Sequence, residues 1–228
     1  MVSIFGGSPV LCLFSRFVVF PAHGIRTRRD LHFPALILAK IVSFVAQDGI
    51  KHLRNWLVAG RAGRVAVHSP ETLALVRLDR HSDFVKWARP DSVYHDFFGM
   101  CLYEKNPYAL YVKSLFLAFQ CSALKEAIAV VSTIKHVYPV AELLWIMLKS
   151  CEGTMDMDFY WNYKKKSRFG DVDLLADSLM YHITKMRPKR RGTFSKAWQF
   201  EEALQEFNGE RCIDCIFFYL SRDVMLLS

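Results

Sequence analysis

The sequence has no apolar run of about 18 uninterrupted residues, which argues against a transmembrane helix. It also lacks a Gly-x-x-x-x-Gly-Lys-Ser/Thr phosphate loop, a His-Glu-x-x-His motif and a Gly-x-Ser-x-Gly motif. The segment "GRAGR" at residues 60–64 lacks the Gly-Lys-Ser/Thr ending and follows no predicted strand. The 8 His and 22 acidic residues are scattered singly. We therefore predict a chain that is not an enzyme, uses no cofactor and has no membrane segment.

Regular cysteine spacing is missing as well. The six cysteines are irregularly placed, which favours free thiols in a reducing compartment, the nucleus or the cytoplasm. The early stretch "SPVLCLFSRFVVFPAHG" is apolar and ends in small residues, like a secretory signal. No basic residue precedes Arg16, however, and Arg16 itself interrupts the apolar run. We interpret residues 1–31 as a leader to which no fold is assigned.

Hydrophobic residues, by contrast, are abundant. They make up 52% of the 228 residues, and there are 18 Phe. This composition supplies ample material for a core, and the length suits one compact domain or a small module joined to a larger one.

Residues 32–80 carry apolar side chains at helical spacing. Steps of three and four residues predict a first amphipathic helix, with Pro34 in its first turn. Its predicted apolar face consists of Pro34, Ile37, Leu38, Ile41, Phe44 and Val45. Gln47-Asp48-Gly49 ends this helix, and a second short helix follows with Ile50, Leu53 and Leu57 on one face. "GRAGR" predicts another break, and Ser69-Pro70-Glu71 predicts a capped third helix. Three short helices bury little surface, so this module needs a neighbour or a partner.

The order of these features resembles an F-box. The matching positions are Phe33-Pro34, Ile41, Leu53, Val58, Ala66, Pro70, Leu73 and Val76-Arg77-Leu78. Phe33 replaces the usual Leu, Ala35-Leu36 replace acidic residues, and Gly60-Arg61 replace Cys-Lys or Cys-Arg. The resemblance implies a surface that binds a Skp-type adaptor, made by Phe33, Pro34, Leu36, Ile37, Ile41, Leu53 and Val58. The alternative is a small helical subdomain packed only on its own chain.

Residues 81–153 contain a linker and three further predicted helices. Asn106 is a good cap and Pro107 a good first helical residue. The predicted buried faces are Leu110, Leu115, Phe116 and Phe119; then Leu124, Ala127, Ile128, Val131 and Ile134; then Val140, Leu143, Leu144, Met147, Leu148 and Cys151. Pro107 and Pro139 are 32 residues apart, close to the tetratricopeptide period. Such helix pairs stack and leave a groove for peptides, whereas the alternative is an ordinary helical hairpin.

The segment "NPYALYVKSLFLAF" is similar to the Asn-Pro-x-Ala-Leu-Tyr-x-x-Gly-x-x-x-x-Phe segment of a plant family of F-box proteins. The matches are Asn106, Pro107, Ala109, Leu110, Tyr111 and Phe119, while Ser114 stands where the family tends to have Gly. In that family the segment opens a tetratricopeptide-like region after the F-box. The resemblance implies a substrate receptor of a cullin-RING ubiquitin ligase, with the target held by the later helices.

The region 154–228 forms a basic helical segment and a carboxyl-terminal tail, and the excess positive charge is concentrated in its first part. Residues 160–196 contain ten Lys and Arg against three Asp, which accounts for most of the net charge of +8. Lys164-Lys165-Lys166 and Lys189-Arg190-Arg191 flank a predicted helix capped by Asp171. Its predicted buried face is Val172, Leu175, Ala176, Leu179 and Ile183. We favour solvated basic loops over a nuclear-import or nucleic-acid site. We also favour core packing over base stacking for Tyr160, Trp161 and Tyr163.

The carboxyl-terminal tail combines a further predicted helix with a cysteine pair. Phe200, Ala203, Leu204 and Phe207 predict the helix, ended by Asn208-Gly209. Cys212 and Cys215 have the spacing of half a zinc site, with His182, Cys151 or Cys121 as distant candidate ligands. Residues 216–219 and 224–227 are rich in strand formers or buried apolar residues, and we expect them to pack the tail against the helical body.

Together these patterns predict an all-α protein with an F-box-like module, tetratricopeptide-like antiparallel helices and a short irregular tail. The resemblance implies an adaptor and an unidentified protein target as partners. A helical scaffold with a decayed F-box and a basic, zinc-assisted nucleic-acid binder are the competing hypotheses.

Overall fold

The computed structural model describes residues 33–188 and 212–227, and every regular element within them is helical. The predicted all-α class is confirmed. The amino-terminal helices are α1 (Ala35–Ala46), α2 (Arg54–Val58), α3 (Arg61–Val67) and α4 (Pro70–Leu75). The remaining ones are α5 (His95–Tyr103), α6 (Pro107–Gln120), α7 (Leu124–Ser132), α8 (Pro139–Glu152), α9 (Met157–Lys166), α10 (Phe169–Met186) and α11 (Ile213–Leu227). Short 3₁₀ turns lie at Ile50–Leu53, Leu78–Arg80 and Phe84–Ala88.

Helices α1 to α4 form an amino-terminal cluster in which α1 packs against α3 and α4. Pro34 is the residue before α1 rather than part of its first turn. Gly49 follows α1 with a φ of +119°, and a Cβ there would lie 2.8 Å from the Cβ of Arg80, so this turn requires glycine. Ser69 caps α4 as predicted, because its hydroxyl accepts a hydrogen bond from the Thr72 N–H at 3.4 Å.

The predicted break at "GRAGR" is wrong except at its first residue. Gly60 has a φ of +101° and precedes α3, but residues 61–64 are already helical. Gly63 lies where α3 meets α2, and a Cβ there would be 2.2 Å from the carbonyl oxygen of Trp56. Glycine disfavours a helix by its backbone entropy, but here it permits a close approach of two backbones. Tertiary packing thus overrides the local propensity.

Asn106 joins the amino-terminal cluster to the helices that follow. Its side-chain oxygen accepts hydrogen bonds from the N–H groups of Tyr108 (3.0 Å) and Ala109 (3.2 Å), which confirms the predicted cap of α6. Its side-chain amide donates to the carbonyls of Leu73, Ala74 and Val76 at 2.9, 3.2 and 2.9 Å. Those carbonyls lie at the carboxyl end of α4, where intrahelical donors are missing. One buried side chain therefore caps two helices at once.

Helices α6, α7 and α8 follow each other along the chain. Leu115 and Phe119 of α6 are buried as predicted, but Leu110 and Phe116 are only half-buried. Pro107 opens α6 and Pro139 opens α8, and both helices have 14 residues. The 32-residue spacing is therefore the distance between the starts of α6 and α8. All six residues predicted to be buried in α8 are buried. Helix α10 packs against both α6 and α8. The face those two helices share is therefore covered by the chain itself and is not an open peptide groove.

Helix α10 begins at Phe169, so Asp171 lies in its first turn and is not its cap. The acidic side chain still complements the positive amino-terminal end of the helix dipole. The last described segment is helix α11, so the predicted irregular tail is wrong over Ile213–Leu227, and the strand-forming residues there are helical. Phe217 and Val224 of α11 are fully buried, as expected of a tail that packs on the body. The predicted helix around Phe200 to Phe207 lies outside the described residues.

One cluster of buried apolar side chains runs from Val42 in α1 to Val224 in α11. The amino-terminal cluster and the later helices therefore share a core. Among residues 33–188 and 212–227, no helix combines the length and the apolar character needed to span a bilayer.

Candidate protein-binding surface

Helix α1 is apolar on all sides but is covered on only one. Its buried residues are small, namely Ala39, Val42, Ser43 and Ala46. The large apolar side chains Phe33, Leu36, Ile37, Ile41 and Phe44 are exposed. We call these five residues the α1 apolar face. A helix that is hydrophobic all round is normally buried on every side, so this face lacks the cover that its composition calls for.

The spacing of the α1 apolar face makes it one continuous stripe. Ile37, Ile41 and Phe44 are separated by four and three residues, which places them on the same side of α1, and Phe33 lies just before the helix. Leu36, 82% exposed, flanks the stripe. Lys40 also lies along it, with its ammonium nitrogen 5.0 Å from the centre of the Phe44 ring. Contiguous exposed apolar side chains of this kind mark an interface more often than they mark ordinary surface.

The α1 apolar face agrees with part of the sequence-based interpretation. Ile37 and Ile41 are exposed, as a contact with a partner requires, although periodicity also places both on the apolar face of an amphipathic helix. The structure buries the small residues at 39, 42 and 46, because α1 packs closely against α3 and α4. Phe44 was not among the predicted adaptor contacts. Its place in the same periodic pattern as Ile37 and Ile41 was the signal that could have identified it.

Most of the predicted adaptor contacts are at the surface. Phe33, Pro34, Leu36, Ile37 and Ile41 are exposed, and Val58 is 75% exposed. Leu53 is the exception and its prediction as a contact is wrong, since it is 1% exposed within the core. The turn Ile50–Leu53 is a 3₁₀ helix, in which residues three apart share a side, and it packs against α1. Leu53 therefore anchors the turn and offers no surface to a partner.

A second candidate site is a groove of about 750 Å³ between the start of α8, helix α9 and helix α10. Its apolar lining includes Phe159, Val172 and Leu175, and its polar lining includes His136 and Glu142. Burial raises the pKa of the Glu142 carboxyl, and the nearby His136, Lys135 and Lys166 oppose that rise. Further polar side chains line it, namely Asn162, Lys166, Ser167, Asp171 and Ser178. A groove of this size with mixed lining has room for a peptide segment.

The basic run at the end of α9 is partly neutralised within the chain. The Lys164 ammonium lies 2.5 Å from a carboxylate oxygen of Asp214 in α11. All three lysines of the run occupy the last turn of α9, where cations complement the helix dipole. Tyr160 and Tyr163 are buried and Trp161 is 43% exposed, so only the indole could stack on a base. The predicted solvated loop is therefore wrong at residues 164–166, which end a helix and are partly paired within the chain. Lys189-Arg190-Arg191 lies outside the described residues.

Cys212 and Cys215 meet at the start of α11, with their sulfurs 3.4 Å apart. The described part of the chain contains no group of three or more His, Cys, Asp or Glu side chains able to hold a metal ion. His182, proposed as a distant ligand, is buried with its Nδ1 2.9 Å from the Tyr111 hydroxyl. The described residues therefore do not assemble the zinc site suggested by the Cys-x-x-Cys spacing.

Among the described histidines, His182 lies in the core and has a shifted pKa. Burial lowers the pKa of His182 to about 4. The edge of its ring meets Phe84, at 5.1 Å between ring centres. Its neighbour Tyr111 is fully buried, and burial raises the pKa of that phenol. This arrangement links α10 to α6 and gives a substrate no access.

The chain was compared with protein-family models, with curated proteins and with solved structures, and none of the three comparisons found a significant match.

Proposed function

We propose that this chain is an F-box-type substrate receptor that binds a Skp-type adaptor through the α1 apolar face. The uncovered large side chains of α1 carry the proposal, together with the sequence resemblance to the F-box pattern. Fully burying an exposed side chain of this kind contributes roughly 1.5–3 kcal/mol before the costs of association. Leu36 has most of this area still to bury, and the other four contribute less because they are already partly covered. Val58 is an additional exposed candidate on α2.

In this role the chain would perform no bond chemistry. The adaptor would tether it to a cullin-RING ligase, and a bound target would reach a high effective concentration beside the ubiquitin-loaded enzyme. Because α10 covers the face shared by α6 and α8, the groove between α8, α9 and α10 is the better candidate for holding the target.

The decisive experiment is capture of a purified Skp-type adaptor by the full chain at micromolar concentration. The combined change Pro34→Ala and Ile41→Asp should abolish capture, because it removes apolar contact area and puts a charge in the centre of the stripe. Val137→Asp is the matched control, since Val137 is 65% exposed and lies outside α1. That control should bind like the unmodified chain.

Failure of the unmodified chain to capture the adaptor would overturn the ligase proposal. Equal loss of capture with Val137→Asp would show that the α1 apolar face is not the contact. In the first case a helical scaffold without adaptor binding becomes the preferred function.

A further inference from the structure

The start of α11 holds two thiols in direct contact. The Cys212 thiol donates to the sulfur of Cys215 at 3.4 Å, and the Cys215 N–H donates back to the sulfur of Cys212, also at 3.4 Å. The Cys212 carbonyl accepts the first helical hydrogen bond, from Ile216. Cys212 is therefore the residue before the helix, and its side chain is less constrained than one inside the first turn.

We propose that Cys212 and Cys215 form a thiol–disulfide exchange site, at which a low-molecular-weight disulfide oxidises the pair to an intrachain disulfide. A disulfide requires a sulfur separation of about 2.0 Å. From 3.4 Å the sulfurs must approach by roughly 1.4 Å for the bond to form.

The two cysteines have different exposure, and this assigns their roles. Cys212 is half-buried, whereas Cys215 is buried. Cys212 is therefore the thiol that attacks an external disulfide, and Cys215 is the thiol that resolves the product. Burial raises the pKa of the Cys212 thiol, and the hydrogen bond from the Cys215 amide opposes that rise. Burial raises the pKa of the distant Cys101 and Cys151 thiols to about 12, which leaves them almost without reactive thiolate.

The reaction balances with glutathione disulfide as the oxidant. The Cys212 thiolate attacks one sulfur of glutathione disulfide, forming a mixed disulfide and releasing one glutathione thiolate. Cys215 then loses its proton to solvent and attacks the sulfur of Cys212, releasing the second glutathione. Two protein thiols are oxidised to one disulfide, and one glutathione disulfide is reduced to two glutathione molecules.

Ring closure would also fix the turn that connects α11 to α9. Asp214 lies between the two cysteines in sequence, and its carboxylate accepts hydrogen bonds from the Tyr160 hydroxyl and the Lys164 ammonium. The disulfide would therefore brace the same helical turn that holds this partly buried contact.

The test is treatment of the full chain with glutathione disulfide at mildly alkaline pH, followed by alkylation, trypsin digestion and mass spectrometry. Cleavage after Arg211 and Arg222 releases one peptide, residues 212–222, that contains both cysteines and no others. In the unmodified chain both thiols should be joined in a disulfide, so this peptide should carry neither an alkyl group nor glutathione. Persistence of two alkylated thiols, or of a glutathione adduct, would overturn the proposal without reference to any variant.

Two variants test the assigned roles. Cys215→Ser should trap glutathione on Cys212, because the resolving thiol is gone. Cys212→Ser should leave Cys215 without glutathione, because that thiol is buried in the folded chain. Circular dichroism checks that both variants keep their helix content. Equal glutathione uptake by two folded variants would show two independent surface thiols and would contradict the proposed order of attack.

Discussion

Replacing Asn106 should destabilise the fold far more than removal of an ordinary helix cap. The side chain is fully buried and bonds to both α4 and α6. Asn106→Ala removes the cap of α6, which costs about 1 kcal/mol. It also leaves the carbonyls at the end of α4 without a donor, at about 1–3 kcal/mol each for those that water cannot reach. We expect a total loss of roughly 3–5 kcal/mol in the free energy of unfolding.

Asn106→Asp separates the two contributions. Aspartate keeps the oxygen that caps α6 but replaces the amide donor with a second acceptor facing the carbonyls of Leu73 and Val76. It also buries a charge, so we expect it to be more destabilising than Asn106→Ala. Ser69→Ala is the reference for a simple cap, because Ser69 caps only α4. Its expected loss is about 1 kcal/mol.

Urea unfolding followed by the helical circular dichroism signal measures all three variants on one scale. The expected order of stability is Ser69→Ala, then Asn106→Ala, then Asn106→Asp. An Asn106→Ala loss no larger than that of Ser69→Ala would refute the reasoning, because the α4 carbonyls would then contribute nothing. An Asn106→Asp variant more stable than Asn106→Ala would refute it as well.

Leu144→Ala should cost about 2–5 kcal/mol in urea unfolding, since Leu144 is fully buried, and a loss below half a kcal/mol would contradict its place in the core. The pKa of His182 falls from 6.5 to about 4 on folding, so stability should drop as pH falls through that window, by at most roughly 3 kcal/mol. His182→Gln should remove this part of the pH dependence. Gly63→Ala should lower the melting temperature, whereas Gly99→Ala, with open space around its Cβ position, should not.

The apolar periodicity of the sequence does not predict α3, α5, α9 or α11, but it does predict the other helices and, in α8, the buried side. Val140, Leu143, Leu144, Met147, Leu148 and Cys151 show this most clearly, since every one of them is buried. The caps at Ser69 and Asn106 were also readable, because Ser-Pro and Asn-Pro combine a side-chain acceptor with a residue suited to the first helical position. These properties depend on neighbours within a few residues, which the sequence displays directly.

The tertiary structure decided which side of α1 is covered. Ile37, Ile41 and Phe44 and the smaller Ala39, Val42 and Ala46 lie on opposite sides of an all-apolar helix. Periodicity alone cannot choose between two apolar sides, because the choice depends on how closely α3 and α4 approach. The sequence alone also does not reveal the close backbone approach at Gly63, the burial of Leu53 or the hydrogen bonds from Asn106 to the end of α4. Each depends on residues that are distant in sequence or on the pitch of a 3₁₀ turn, so only the folded chain determines them.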